Sequence, residues 1–344
     1  MVALLLLAVA APAHAAVTLK GILGEEGPRL GWFERYQESR QGPEQVEKVS
    51  QTFKVGDNAG LDLSHLAGDI RVTAGNGSEI KVDATKRVRN RNAEEARRLL
   101  QALRVDINNF NGRVEVRTIY PRRGSFGNNV SASVDYVISV PPSATVALKS
   151  ISGDISVTNV KGEVRAETVS GNVNITGTPN VALAKTISGD VTARDVATQT
   201  TLVLSTVSGT VLGTGLKVRS LEAGSVSGDV RLVGSEIERL EAKSLSGNIE
   251  FDAPLSKGGR YEFTSHSGDV RVVLSGNTGF ELDADTFSGN VRSDVPVTLR
   301  AVGSREPGQG RRSGSNRAIR GSYGDASALL SIRSHSGSVV ISKK

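Results

Sequence analysis

A tripeptide returns along the second half of the chain at nearly constant spacing, and no other feature restricts the possible folds so tightly. It occurs as Ser152-Gly153-Asp154, Ser170-Gly171-Asn172, Ser188-Gly189-Asp190, Ser208-Gly209-Thr210, Ser227-Gly228-Asp229, Ser246-Gly247-Asn248, Ser267-Gly268-Asp269, Ser288-Gly289-Asn290 and Ser336-Gly337-Ser338. Successive serines lie 18, 18, 20, 19, 19, 21, 21 and 48 residues apart. Between the first repeats the apolar residues are Ile155, Val157, Val160, Val164, Ala166, Val169, Val173 and Ile175. Their steps of two mark strands with one buried face, and the longer steps mark corners where the alternation resets. Each repeat therefore predicts two strands, and the chain predicts an all-β, single-stranded β-solenoid of about 18 to 21 residues per coil. A left-handed β-helix, with aliphatics about every six residues, does not fit that pattern. Helical repeats are opposed by the β-branched residues and by the 38 glycines.

Aligned on the repeat serine, the coils become columns. Three residues later stand Ile155, Val173, Val191, Val211, Val230, Ile249, Val270, Val291 and Val339, expected to point inward. Four residues earlier stand Leu148, Ala166, Ala184, Leu204, Ala223, Ala242, Phe263, Ala284 and Ile332, the expected facing column. With only 4% aromatic residues, a narrow aliphatic core suits the composition. The glycines Gly153, Gly171, Gly189, Gly209, Gly228, Gly247, Gly268, Gly289 and Gly337 mark structural turns with positive φ or no room for a Cβ. Two residues before each repeat serine the chain has only Ser or Thr, expected to satisfy backbone groups at the corner. The near-alternation of Asp and Asn after the glycine reads as a means of separating like charges stacked about 4.8 Å apart.

Before the repeats the pattern loosens. Ala67-Gly68-Asp69-Ile70 is a degenerate copy, expected to supply one or two further turns. Asn92-Ala93-Glu94-Glu95 reads as the start of a helix reaching about Leu103, with Leu99, Leu100 and Leu103 on its apolar face. Strands are expected at 113–119 and 131–140, so that residues 48–143 form a small α/β cap over the first coil and residues 144–344 form the solenoid. Residues 303–321, rich in Gly, Ser and Arg, read as a disordered excursion before a last coil at 327–342. At the amino end, residues 2–11 are apolar and Pro12-Ala13-His14-Ala15 resembles a small-residue cleavage site, so 1–15 reads as a signal peptide. No Lys or Arg precedes it, which suggests a start a few residues upstream. Residues 16–47 are expected to be flexible. Export to the periplasm, cell surface or extracellular space follows, without a transmembrane segment or a lipidated Cys, since the chain has no Cys.

The repeated Ser-Gly-Asp/Asn-Val turns, Val-Asp-Tyr-x-Ile-x-Val-Pro at 134–141 and Gly-x-Tyr-Gly-Asp-Ala-x-Ala-Leu-Leu-x-Ile at 321–332 carry a resemblance. The chain resembles a bacterial family of candidate adhesins of unknown function, β-solenoids related to auto-transporter adhesin heads, from about residue 49 to the carboxyl terminus. That resemblance implies the solenoid fold and an adhesive role, and it supplies no catalytic or binding residues to carry over.

The chemistry is sparse. Beyond the signal peptide there are three His, of which His266 and His335 fall in a column otherwise filled by Ile151, Val169, Ile187, Val207, Val226, Leu245 and Phe287. They read as replacements for core residues at a corner, where packing or local hydrogen bonding is expected ahead of metal binding or catalysis. Glu222, Glu241, Glu262 and Asp283 form an outward acidic column on consecutive coils, a possible cation or partner face, with Asp285 beside it and Arg239 and Arg260 as its expected counter-charges. It is the nearest thing to the carboxylate cluster of a polysaccharide lyase or hydrolase, the enzyme alternative. No cofactor or metal motif is present. The formal net charge is +6, with basic residues concentrated in 86–123 and 300–320. Arg311, Arg312, Arg317 and Arg320 are therefore the candidate binding residues for an anionic polysaccharide, lipopolysaccharide or another envelope component. No aromatics accompany them, so specific nucleic-acid recognition is not expected. A monomeric, non-catalytic structural or adhesive protein is the expectation.

Overall fold

The computed structural model describes residues 43–56, 59–121, 131–299 and 317–344. The signal-peptide reading at 1–15 lies outside the described residues, and residues 16–42 do as well; the described chain enters the strand Glu44–Lys54 at once. Two long sheets of 13 and 14 strands face each other, and the chain crosses from one to the other twice per coil. Eleven strands of each sheet run parallel, stacked in register from coil to coil. The predicted two-strand coil is the observed unit.

The inward columns meet between the sheets. Ile155, Val173, Val191, Val211, Val230, Ile249, Val270 and Val339 are buried in the first sheet, and the facing column from Leu148 to Ile332 is buried in the second. Val291, on the outermost coil, is partly covered. One methylene-rich layer thus runs the length of the solenoid, each buried aliphatic stabilising the fold by about 1.5 to 3 kcal/mol before the entropy of ordering is counted. Aromatics enter the core towards the carboxyl-terminal coils: Phe251 packs against Tyr261 and Phe263 with ring centroids 5.6 Å apart. Tyr261 donates its hydroxyl to the Ile237 carbonyl at 2.5 Å, which keeps its one polar atom satisfied while buried.

At both ends the coils are stacked out of chain order. The coil Gly60–Ser64 and Ile70–Ala74 lies directly on the first repeat coil, and the later strands Arg113–Ile119 and Ser131–Val140 lie outside it. At the other end Ala328–Ser336 and Val339–Lys343 insert between Arg260–Ser267 and Phe280–Ser288, and between Val270–Ser275 and Val291–Ser293. Antiparallel strands then cover three of the four sheet edges among the described residues, Glu79–Arg89 and Glu44–Lys54 in one sheet, and Arg104–Phe110 and, at the far end, Arg317–Tyr323 with Thr298–Leu299 in the other, while the first sheet ends on the parallel strand Val291–Ser293. An antiparallel cap presents a strand that does not continue the parallel register, which discourages end-to-end addition of another copy.

The helix forms at Ala93–Ala102, where the Asn92 side chain accepts from the Glu94 and Glu95 amides. Its buried face is Ala96, Leu99 and Leu100, followed by buried Leu103. It packs on Glu44–Lys54 and Glu79–Arg89. The stretch read as disordered through residue 321 needs one correction, because Arg317–Tyr323 is a strand. Its pairing with Phe280–Ser288 supplies the backbone partners that its composition alone did not suggest.

Candidate functional site

The corner that carries the repeat is built from four columns, each with its own bonding. Every repeat glycine carries its Cα against the preceding coil: a Cβ on Gly228 would overlap the Gly209 carbonyl, and one on Gly209 the Gly189 carbonyl. Gly228 also has φ of 152°, so conformation and space both require glycine there. The hydroxyl column faces inward and donates to those same carbonyls, as in Thr186 to Gly171 at 2.8 Å, Thr206 to Gly189 at 2.9 Å and Ser225 to Gly209 at 3.0 Å. Ser150 and Ser334 are buried members whose Oγ atoms have no partner among the described residues.

The Asp/Asn column is a hydrogen-bonded ladder. The Asp154 carboxylate accepts the Asn172 amide at 2.7 Å, the Asn172 side-chain oxygen accepts the Asp190 amide at 2.8 Å, and Asp190 accepts Thr210 at 2.7 Å. It resumes from Asp229 through Asn248 and Asp269 to the Ser338 amide. A side-chain oxygen one coil away thus satisfies a corner N–H, a role that both Asp and Asn perform. Charge separation is not the rule, because Asp135, Asp69 and Asp154 follow one another directly in the ladder. Arg87 pairs with Asp135 at 2.9 Å and offsets part of that repulsion.

The column before the repeat serine overturns an expectation. Leu66, Ile151, Val169, Ile187, Val207, Val226, Leu245 and Phe287 are not core residues: they are between 40% and 53% exposed. The hydroxyls one position earlier point inward, so alternation along the strand turns these side chains outward. In spatial order the row runs Leu66, Ile151, Val169, Ile187, Val207, Val226, Leu245, His266, His335 and Phe287, one residue per coil. At its end the rings stack: His266 on His335 at 4.7 Å with 3° between planes, and His335 on Phe287 at 5.0 Å with 1°. The two imidazoles are therefore surface groups in an apolar row about 45 Å long, at one coil spacing per step.

The other sequence candidates scatter. Glu222, Glu241 and Glu262 do lie on adjacent coils, yet Ser331 of the inserted coil separates Glu262 from Asp283. Their counter-charges also differ from expectation, since Glu241 pairs with Lys243 and raises its pKa, and Asp283 pairs with Arg320 at 2.9 Å. Arg239 and Arg260 instead line a separate shallow groove with Gln199, Thr201 and Arg219. Among the described residues no group of three or more His, Asp or Glu is placed to hold a metal ion. Arg311 and Arg312 lie outside the described residues, Arg317 opens its strand, and Arg320 is engaged by Asp283. The hydrophobicity of the apolar row concealed its exposure, and the only signal of it in the sequence was the hydroxyl column one position earlier, read together with the alternation.

The sequence profile of the family described as Toastrack DUF4097 matches residues 59–342. The chain belongs to that family. The match begins at the degenerate first coil and ends in the last strand, so the toastrack unit comprises both ends of the solenoid as well as its middle. Two solved structures are similar. One is a candidate cell adhesion protein from Clostridium sporogenes ATCC 15579, 11% identical, covering 87% of this chain and 100% of its own, with a TM-score of 0.20. The other is a candidate adhesin from Bacteroides fragilis NCTC 9343, 12% identical, covering 86% of this chain and 97% of its own, with a TM-score of 0.38. A search of curated proteins returns no match. Among the described residues no helix is long and apolar enough to cross a membrane.

Proposed function

We propose that this toastrack protein is an exported, non-catalytic adhesive or scaffolding solenoid of the bacterial envelope, which holds an acidic polysaccharide along its exposed corner. The observation that supports this reading is the ten-residue row of outward side chains from Leu66 to Phe287, repeated once per coil. Two residues earlier on the same outward face four of the ten positions are basic, Lys149, Lys185, Lys243 and Arg333, with Glu167 and Asp285 the acidic ones. Sugar rings carry apolar C–H faces and acidic substituents, and a row of aliphatics with basic residues spaced along its flank complements both. Each contact is weak, and the regular array multiplies them along one polymer. Arg311, Arg312 and Arg317 add to the attraction for a polyanion. The enzyme alternative loses support from the acidic column, which is split by Ser331 and in which Glu241 and Asp283 are paired with Lys243 and Arg320.

A screen of the full chain against acidic polysaccharides and lipopolysaccharide tests the reading. Binding is expected to weaken with salt and to fall at least about tenfold when Val169, Ile187 and Val207 are changed together to Ser, with the circular dichroism spectrum unchanged. Turnover of any polysaccharide that is lost in Glu241→Ala with Glu262→Ala would establish the enzyme alternative instead.

A further inference from the structure

Three features set the end of the row where the two histidines stack apart from the rest. A groove of about 470 Å³ opens there, lined by Lys243, Leu245, Thr264, His266, Arg333 and His335. Arg333 is exposed and makes no ion pair among the described residues, although Asp285 is its register neighbour on the next coil. Ser334, which also lines the groove, is only 6% exposed, and its Oγ, like that of Ser150 near the other end of the row, is without a partner among the described residues. The imidazoles of His266 and His335 lie face to face 4.7 Å apart, and aliphatic side chains occupy the equivalent positions on the preceding coils.

We propose that this groove is an acid-strengthened binding site for the carboxylate or sulfate group of an acidic polysaccharide, with Arg333 as the permanent cation and His266 and His335 as cations gained on acidification. The inference deepens the adhesive reading and rests on it. A planar guanidinium pairs with a carboxylate or sulfate through two parallel N–H bonds. The stacked rings and Leu245 offer apolar surface beside it for the C–H face of the sugar. Histidine changes charge between about pH 5 and 8, and two imidazolium ions at this separation repel. An oxyanion that accepts from the exposed N–H edges of both rings offsets that repulsion, so binding takes up protons and affinity rises as pH falls.

The surrounding charges leave that sign unchanged. On Glu236–Ser246, Lys243 is held by Glu241. On Arg260–Ser267 the nearest charge is Glu262, four residues before His266 and not a lining residue of the groove. On Ala328–Ser336 it is Arg333 itself. On Phe280–Ser288, Asp283 is paired with Arg320, and Asp285, whose Oδ1 is buried, does not line the groove. Beyond the corner, Asp269 accepts the Ser338 amide.

The test measures affinity of the full chain for oligogalacturonate, dextran sulfate and methyl-esterified oligogalacturonate at about pH 5.5 and about pH 7.5. Wild type is expected to bind an acidic probe about tenfold more tightly at the lower pH, and the methyl ester equally at both. His266→Gln with His335→Gln should abolish the difference, and Arg333→Gln should weaken acidic probes at both pH values. Preference for one acidic probe identifies the group as carboxylate or sulfate. A pH difference that persists in the double histidine variant overturns the proposal, as does an equal one for the methyl ester. Acidic probes bound with unchanged affinity by all these variants, yet lost in the Val169, Ile187 and Val207 variant, overturn it and leave the adhesive reading standing. Failure of wild type to bind either acidic probe removes both.

Discussion

Glycine is required at the repeat corner for two reasons that a pair of substitutions can separate. Gly234 has φ of 58° and open space where a Cβ would stand, so Gly234→Ala meets conformational strain alone, about 1 kcal/mol. Gly228 has φ of 152° and the Gly209 carbonyl in the way, so Gly228→Ala must also displace the backbone of the preceding coil. We expect a loss of at least about 3 kcal/mol there, read as the difference in urea midpoints at constant m-value. Equal losses at the two positions would show that conformation, not the stacking of coils, explains the glycine column. The ladder of Asp and Asn side chains answers the matching question for the backbone: each leaves the corner amide of the next coil satisfied without a strand partner.

Among the elements, the amino-terminal coil holds the one buried histidine of the described residues. His65 lies between Gly60–Ser64 and its neighbours, its ring nitrogens 3.2 Å from the Thr118 hydroxyl and 3.2 Å from the Gly68 carbonyl, its ring edge-on to Tyr136 at 5.2 Å. Burial holds its pKa down at about 4, against 6.5 for a free imidazole. Above pH 6.5 the ring is neutral in both folded and unfolded chains and contributes nothing to the pH dependence. As pH falls from 6.5 towards 4 the unfolded chain takes up the proton first, so folding stability is lost through that window, by about 3 kcal/mol at the limit. The urea midpoint of wild type should therefore fall more steeply over this range than that of His65→Gln. Parallel pH profiles would exclude the buried neutral ring as the cause.

For the whole molecule, the decisive property is that spatial order departs from chain order at both ends. In a solenoid stacked in sequence, removing the last coil costs only that coil and its one interface. Here Ala328–Ser336 is held between Arg260–Ser267 and Phe280–Ser288, and its removal severs the outer coil from the stack. The turn that delivers it is tied down by Asp325, whose carboxylate accepts the Gly279 amide at 3.0 Å and the Ser327 amide at 3.3 Å. Deleting residues 324–344 is accordingly expected to expose residues 276–299 to limited proteolysis, with a loss of strand signal greater than two strands account for. Protection of that region in the truncated chain would show that the outer coil closes onto Arg260–Ser267 without the insert.

Much of this was legible along the chain, because a solenoid writes its geometry as a period. Each coil repeats one environment, so the inward columns from Ile155 to Val339 and from Leu148 to Ile332, the glycine corners and the helix start at Asn92 follow from spacing and residue type alone. The outward turn of Val169, Ile187 and Val207 was implicit in the same alternation and hidden by their hydrophobicity, since composition says which side chains prefer burial and not which face a corner presents. Local pattern carries no information about which coils become neighbours once the chain can double back. Ser331 beside Glu262 and His335 between His266 and Phe287 exist only because the last coil inserts, and Arg320 meets Asp283 only because an antiparallel strand covers the outer coil. That choice belongs to long-range strand pairing, in which every coil offers nearly the same edge, and only the folded stack decides which edge is taken.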